Sequence, residues 1–344
     1  MDRNIERMAT FFAEGECKLR PHFKAHKTPE IARRQLAAGS CTGLTCATVG
    51  EAELAAEFCD DILIANQVIG GDKLARVAAI AKRGVDIKIA VDSVEGLEQA
   101  ASAAERAAAE IGVLVDVNVG MPRCGVAPGE PAAALAKRIS DTANVRLRGA
   151  MGYEGHVVGI PDRDKRAPAA ETAMAALIAS VTAIREASLP CEMVSAGGTG
   201  TYDITGRVPG ITEIQAGSYV LMDTAYAKLD IPFEHAFWVL GTVVSRNSAA
   251  LCVLDSGHKS CTEDHGNPGV RELEGASVLF LSDEHATLNI PASAKLQVGD
   301  RVQLVPSHID PTINLHDVFY VLDGDKIIDV WPITARGYVE QRQA

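Results

Sequence analysis

The chain has 344 residues, 47% of them hydrophobic and 23% charged, with a formal net charge of −12. That length exceeds a single small domain and suits a large barrel plus a second unit. The acidic balance argues against nucleic acid or an anionic membrane as partner, since both demand a basic surface, but leaves room for a small anionic ligand in a locally basic pocket.

Eight cysteines include no CxxC pair, which fits reduced thiols in a cytoplasmic protein better than a disulfide framework. No apolar run follows a basic start, and no stretch approaches the roughly 18 apolar residues of a spanning helix. A cytoplasmic location is the expectation.

In chain order, the first segment places Ile5, Met8 and Phe12 on one helical face. Short apolar runs then recur at 19–24, 41–47, 62–65, 85–91, 113–119, 145–152, 191–196 and 211–216. Alanine-rich helical stretches lie between them at 51–57, 71–83, 94–110, 131–141 and 167–187. Thr28-Pro29-Glu30 opens a further helix with a capping hydroxyl, a first-turn proline and an acid facing the dipole. Continuous apolar strands alternating with helices imply a parallel sheet, and eight of them imply a closed α/β barrel, the (β/α)8 TIM barrel. After residue 236 helical periodicity is absent, and strand-like runs between turns such as Asp323-Gly324-Asp325 indicate a mainly antiparallel β domain. The expected domains are residues 1–235 for the barrel and 236–344 for the β domain.

Four constellations carry candidate chemistry. Arg20-Pro21-His22-Phe23-Lys24-Ala25-His26-Lys27 packs lysines and histidines into the mouth of a strand-to-helix turn. It is either a solvated basic loop or a nucleophilic amine at the C-terminal end of a strand, where barrel enzymes keep their chemistry. Ser195-Ala196-Gly197-Gly198-Thr199-Gly200-Thr201 follows the seventh strand, where glycines expose N–H donors to an anion and barrels bind phosphate; Gly217, Ser218 and Tyr219 add donors after the eighth. A flexible turn is the plainer alternative. Gly120-Met121-Pro122-Arg123 puts a proline-pinned cation at the fifth strand's end, and Tyr153 and His156 stand at the sixth. In the β domain, His308 and Asp310 lie two apart and share a side if the segment is extended, offering half a site for a divalent metal. Alone, such a pair is more often a polar turn.

Taken together and in this order, Arg20-Pro21-His22-x-Lys24-x-His26-Lys27, Arg123-Cys124-Gly125, Gly197-Gly198-Thr199-Gly200 and His308-x-Asp310 resemble the D-threonine aldolase and D-serine dehydratase family. This is the alanine racemase-like, fold-type III group of pyridoxal-phosphate enzymes, and the likeness covers nearly the whole chain. It implies a barrel that binds pyridoxal phosphate, a C-terminal β domain and a homodimer. It implies that Lys24, with Lys27 as the alternative, is the Schiff-base lysine. Arg123 would face the cofactor's phenolic oxygen, Tyr153 would lie near its ring, and Gly197, Gly198, Thr199, Gly200, Thr201, Gly217, Ser218 and Tyr219 would form the phosphate cup. His308 and Asp310 match the family's metal pair.

One residue separates the chemistries within that family. Its dehydratases resemble a His-x-Cys pattern, a soft ligand set suited to zinc, whereas Asp310 with an imidazole suits Mn²⁺ or Mg²⁺. The expectation is therefore carbon–carbon cleavage of a D-β-hydroxy-α-amino acid, such as D-threonine or 3-hydroxy-D-aspartate, to glycine plus an aldehyde or glyoxylate. A D-serine or 3-hydroxyaspartate dehydratase is the nearest rival. A non-enzymatic pyridoxal-phosphate carrier would need neither the β domain nor His308-x-Asp310, and a racemase would need an acid–base residue opposite Lys24. The resemblance also implies a strand and an acidic segment ahead of the helix at Asp2–Met8, a region in which this sequence starts; if that strand belongs to the β domain's sheet, an edge is exposed without it.

Overall fold

Eight parallel strands occur in the first two-thirds of the chain: β1 (Lys18–Leu19), β2 (Leu44–Cys46), β3 (Asp61–Gln67), β4 (Asp86–Val91), β5 (Ile111–Asp116), β6 (Val145–Gly152), β7 (Met193–Ala196) and β8 (Glu213–Ile214). They pair in sequence order, and β1 returns to β8 through Lys18 opposite Glu213. Bridges from Leu19 to Cys41 and from His22 to Thr45 join β1 to the β2 segment and close the ring. The computed structural model describes residues 1–246 and 248–337. Within them the chain forms two units: a barrel of Ile5–Lys24 and Pro29–Gly217, and a second unit of Met1–Asn4, Ala25–Thr28 and Ser218–Gly337.

The strands are apolar because both faces are covered. Leu63, Ala90, Leu114, Met151 and Met193, from five successive strands, form one buried interior cluster. The helices α1 (Asp2–Phe11), α2 (Pro29–Ala37), α3 (Val49–Ala55), α4 (Gly71–Lys82), α5 (Val94–Ala107), α6 (Glu130–Ser140), α7 (Arg163–Glu186) and the short α8 (Tyr202–Thr205) alternate with the strands. Their starts follow from local chemistry. The Thr48 and Ser93 side chains accept from the backbone N–H of Glu51 and Gly96, so orphan donors at the starts of α3 and α5 are satisfied. Asp162 does the same for α7, which therefore begins at Arg163 rather than at the expected Ala167.

Helix α7 corrects a second expectation. By length and hydropathy it is apolar enough to cross a membrane, although no stretch was expected to come near that. Alanine accounts for the difference: it scores as apolar yet covers little surface. The helix buries Ala170, Ala173, Met174, Leu177 and Ile184, as a barrel's outer helix does.

Around the carboxylates that begin β3, β4 and β8 a line of alternating charges crosses the barrel. Arg20 donates to Glu213 (2.9 Å) and Asp61 (2.6 Å), and Lys88 reaches Asp61 (2.7 Å) and Asp86 (2.8 Å). Arg148 completes the line on Asp86 (2.6 Å). Arg20, Lys88 and Glu213 are buried, so each charge depends on its neighbours. This assigns Arg20, the first residue of the basic cluster, to holding the barrel's floor. Strand β1 also ends sooner than the expected Lys24, because Pro21 cannot donate to a ladder and the chain turns into a 3-10 helix at Phe23–Ala25.

In the second unit, strands β9 (Val239–Ser245), β10 (Leu251–Leu254), β11 (Gly269–Arg271), β12 (Ser277–Leu281), β13 (Ala286–Asn289) and β14 (Arg301–Val305) form one sheet in the order β11-β14-β9-β10-β13-β12, with antiparallel pairs such as Cys252 opposite Leu288. Val243, Cys252, Leu254, Leu288 and Leu304 are among its fully buried core residues. A separate hairpin follows, β15 (Val318–Asp323) and β16 (Lys326–Pro332). One helical turn, α9 (Ile309–Ile313), interrupts the β texture where no helix was expected.

Candidate active site

Lys24 sits on the 3-10 turn that follows β1, exposed at the C-terminal end of the barrel. The turn is anchored on both sides: His22 N–H donates to the Ala216 carbonyl, and Thr45 N–H to that of Pro21. Lys27, the alternative, belongs to the second unit, where its ammonium donates to the Ala335 carbonyl (3.4 Å).

The loop after β5 is folded back as a small arch. Val117 bridges to Val126, and Gly125 N–H donates to the Asp92 carboxylate (3.0 Å). Gly125 has φ +102°, and a Cβ there would lie 2.5 Å from Asn118 N, so only glycine closes the arch. The arch carries Arg123, whose guanidinium lies 5.5 Å from the centre of the Tyr153 ring. Asp116, Val119, Met121, Arg123 and Tyr153 line a shallow cleft. At its base, burial pushes the Asp116 carboxyl up to about 6, with the neighbouring Asp92 charge in the same direction and the Gln67 hydrogen bond opposing.

Tyr153 links this arch to the glycine loop after β7. A Cβ on Gly198 would rest 3.4 Å from the tyrosine ring, so the loop's bare backbone faces the aromatic. Beneath it lies Glu154, fully buried, which accepts from Gly197 N–H (3.1 Å), the Thr201 hydroxyl (2.7 Å) and the Thr205 hydroxyl (2.6 Å). Thr201 in turn accepts from Gly198 N–H (3.3 Å). The structure thus brings Arg123, Tyr153 and Gly197–Thr201 together at one rim, with Thr201 turned toward Glu154. Gly217 ends the barrel unit after β8. Ser218 and Tyr219 open the second unit in a 3-10 turn, where Tyr219 is buried with its ring 5.5 Å from Phe233.

In the second unit His308 is extended (φ −149°, ψ 120°) and serves as the N-cap residue of α9, whose first turn holds Asp310. The expected extended segment is therefore a strand-to-helix turn. That turn still brings His308 Nε2 within 3.9 Å of Asp310 Oδ1. Asp223, fully buried, supports it by accepting from Ile309 N–H (3.3 Å). Asp264 accepts from His308 Nδ1 at 2.6 Å, and His265 stacks parallel on the same imidazole, with centroids 4.3 Å apart. Burial, the largest single influence, opposes ionisation of Asp264, but the hydrogen bond and charge of His308, with the Thr262 hydroxyl, together outweigh it and hold the carboxyl below the ordinary aspartate range.

Sequence reasoning missed Asp264, His265, Asp223 and Asp116, and left Glu154 without a role. Only an Asp-His pair ahead of the Gly266-Asn267-Pro268 turn could have flagged the first two.

A closed parallel barrel with an exposed lysine after β1, an arginine–tyrosine rim and a glycine loop after β7, joined to an antiparallel unit, defines the alanine racemase-like class. Residues 1–225 match the family model for the N-terminal domain of alanine racemase, and residues 236–322 match a serine dehydratase domain. A D-threonine aldolase from Arthrobacter sp. is 36% identical over 98% of this chain and 90% of its own length. A 3-hydroxy-D-aspartate aldolase from Paracoccus denitrificans is 31% identical over 98% and 89%. The crystal structure of D-threonine aldolase from Filomicrobium marinum superposes with a TM-score of 0.94 at 36% identity, covering 97% of this chain and 92% of that one. The chain belongs to the D-threonine aldolase and D-serine dehydratase family of fold-type III pyridoxal-phosphate enzymes.

Proposed function

We propose that this protein is a pyridoxal-phosphate- and divalent-metal-dependent aldolase that cleaves D-β-hydroxy-α-amino acids to glycine and an aldehyde or glyoxylate. The observation that carries the reading is the pairing of His308 with Asp310: one imidazole nitrogen and one carboxylate oxygen 3.9 Å apart. Donors that far apart leave room for an ion, and a nitrogen–oxygen pair with the rest of its shell open to water and substrate suits Mn²⁺ or Mg²⁺ over Zn²⁺. A dehydratase of this family is expected to place a thiolate at residue 310.

The barrel residues fit the cofactor. Lys24, exposed after β1, would be the attachment point for the aldehyde carbon. Arg123 offers a fixed cation beside an aromatic face, and the backbone N–H groups of Thr199 and Gly200, held in shape by Glu154, offer donors to the phosphate. Gly217, Ser218 and Tyr219 continue the expected cup along the chain. When bound, pyridoxal phosphate supplies the electron sink into which the cleaved bond's electrons pass. His308 and Asp310 would hold a cation whose charge lowers the pKa of the substrate's β-hydroxyl.

We also propose a homodimer. Tyr320 opposes Val330 and Leu322 opposes Ile327 on one face of the β15–β16 hairpin, and all four are exposed. An apolar face of this kind marks a contact surface.

The test is product analysis of the protein loaded with pyridoxal phosphate and Mn²⁺, given D-threonine and then 3-hydroxy-D-aspartate. Glycine with acetaldehyde or glyoxylate is the expected outcome. A keto acid with ammonia would overturn it in favour of β-elimination.

A further inference from the structure

We infer that Asp264 is the positioning residue of the metal pair: its carboxylate fixes His308 in the tautomer whose Nε2 is left to bind the ion. The inference rests on the metal reading of His308 and Asp310 given above, and it concerns a residue outside that pair.

The chemistry begins with the hydrogen bond. An ionised carboxylate only accepts, so the 2.6 Å contact between Asp264 and His308 Nδ1 requires the proton on Nδ1. A neutral imidazole has one N–H, so Nε2 is then the lone-pair nitrogen. Nε2 is the atom that lies 3.9 Å from Asp310. The ring has one nitrogen committed to Asp264 and the other presented to the ion.

Separation decides between this assignment and the rival in which Asp264, His265 and His308 Nδ1 are themselves the ligands; the three residues do bring their donor atoms within 4.8 Å of one another. An octahedral ion with bonds of about 2.1 Å keeps neighbouring donors about 3 Å apart and opposed donors about 4.2 Å apart. The Asp264–His308 separation of 2.6 Å is too short for two ligands of one ion and right for a charge-assisted hydrogen bond, whereas 3.9 Å falls inside the ligand range. His265 adds a second restraint, since its ring lies within 5° of parallel to that of His308 and limits rotation about the Cβ–Cγ bond. A carboxylate behind a metal-binding imidazole raises ligand basicity and holds its orientation, and its loss typically costs 10–100-fold in metal affinity.

The test compares Asp264→Asn and Asp264→Ala with the wild-type chain and with His308→Ala, all loaded with pyridoxal phosphate. Free Mn²⁺ is titrated by electron paramagnetic resonance, and the His308 tautomer is read from its ring ¹⁵N shifts without metal. Asp264→Ala should weaken Mn²⁺ binding about 10–100-fold and shift the proton populations of the His308 ring. Asp264→Asn, which keeps an acceptor oxygen, should fall between it and wild type. The cofactor's visible band should be unchanged in both variants. Wild-type Mn²⁺ affinity with an unchanged tautomer in Asp264→Ala would overturn the assignment, and lost affinity with an unchanged tautomer would make Asp264 a ligand and overturn it equally. If His308→Ala binds Mn²⁺ as well as wild type, the metal reading of His308 fails; the nitrogen shifts still decide whether Asp264 sets the tautomer.

Discussion

The Thr201 hydroxyl donates to the Glu154 carboxylate at 2.7 Å, so the glycine loop after β7 is shaped from below by a buried acid. Three donors converge on that side chain from Gly197, Thr201 and Thr205. Gly197, at φ +78°, takes a conformation that suits glycine, and its N–H is turned inward to Glu154.

Removing Glu154 should therefore loosen the loop. In Glu154→Ala the orphaned buried donors cost roughly 1–3 kcal/mol each, less whatever a replacing water recovers. The expected outcome is a cofactor dissociation constant raised at least tenfold, with Glu154→Gln intermediate because its amide oxygen still accepts. Fluorescence titration of the apoprotein with pyridoxal phosphate measures this.

Asp116 should make apoprotein stability fall with rising pH. Burial raises its folded pKa to about 6, against about 3.9 in an unfolded chain. Between those values the unfolded chain sheds its proton first, so stability declines from about pH 4 to about pH 6 and stays lowered above. Asp116→Asn keeps an acceptor for Gln67 and removes the titration. Urea unfolding at pH 7.5 should show the variant about 3 kcal/mol more stable, with the gain vanishing near pH 4.

The floor of the barrel should respond in the opposite sense. Arg20→Met leaves Glu213 and Asp61 without a shared cation, and stranding a buried charge costs about 3–5 kcal/mol. Lys88 still reaches Asp61, so Glu213 suffers more. A double variant with Glu213→Leu should recover much of the loss, which equilibrium unfolding can verify.

The β15–β16 face predicts self-association. Val330→Lys puts a charge opposite Tyr320. Sedimentation equilibrium should show the wild type as a dimer and the variant shifted toward monomer.

Much of this was legible in the sequence because it depends on local pattern. Runs of apolar residues spaced by alanine-rich helices define the barrel, and β4, β6 and β7 fall where those runs lie. The strands at the seam were harder. β1 and β8 are two residues each, since Pro21 interrupts one and turns flank the other, so their hydrogen bonding is not written in composition. The three-residue β11 and the single turn of α9 are likewise too short to carry a period. At the site, motif residues such as Arg123 and Gly198 were visible because they stand in short contiguous motifs, Gly120-Met121-Pro122-Arg123 and Gly197-Gly198-Thr199-Gly200. Asp264 was not: it lies 44 positions from His308, and only the tertiary fold brings the two together.

The central claim is that carbon–carbon cleavage depends on the His308–Asp310 pair, and Asp310→Ala tests it most directly. The variant and wild type, each loaded with pyridoxal phosphate and Mn²⁺, are given D-threonine, and glycine is followed with and without EDTA. The account predicts that wild type releases glycine until the chelator is added. It predicts that Asp310→Ala keeps the cofactor's visible band but loses glycine release by at least a thousandfold, on the order of the several kcal/mol a Lewis acid supplies. Glycine release from Asp310→Ala at the wild-type rate, or from wild type undiminished by EDTA, would contradict it.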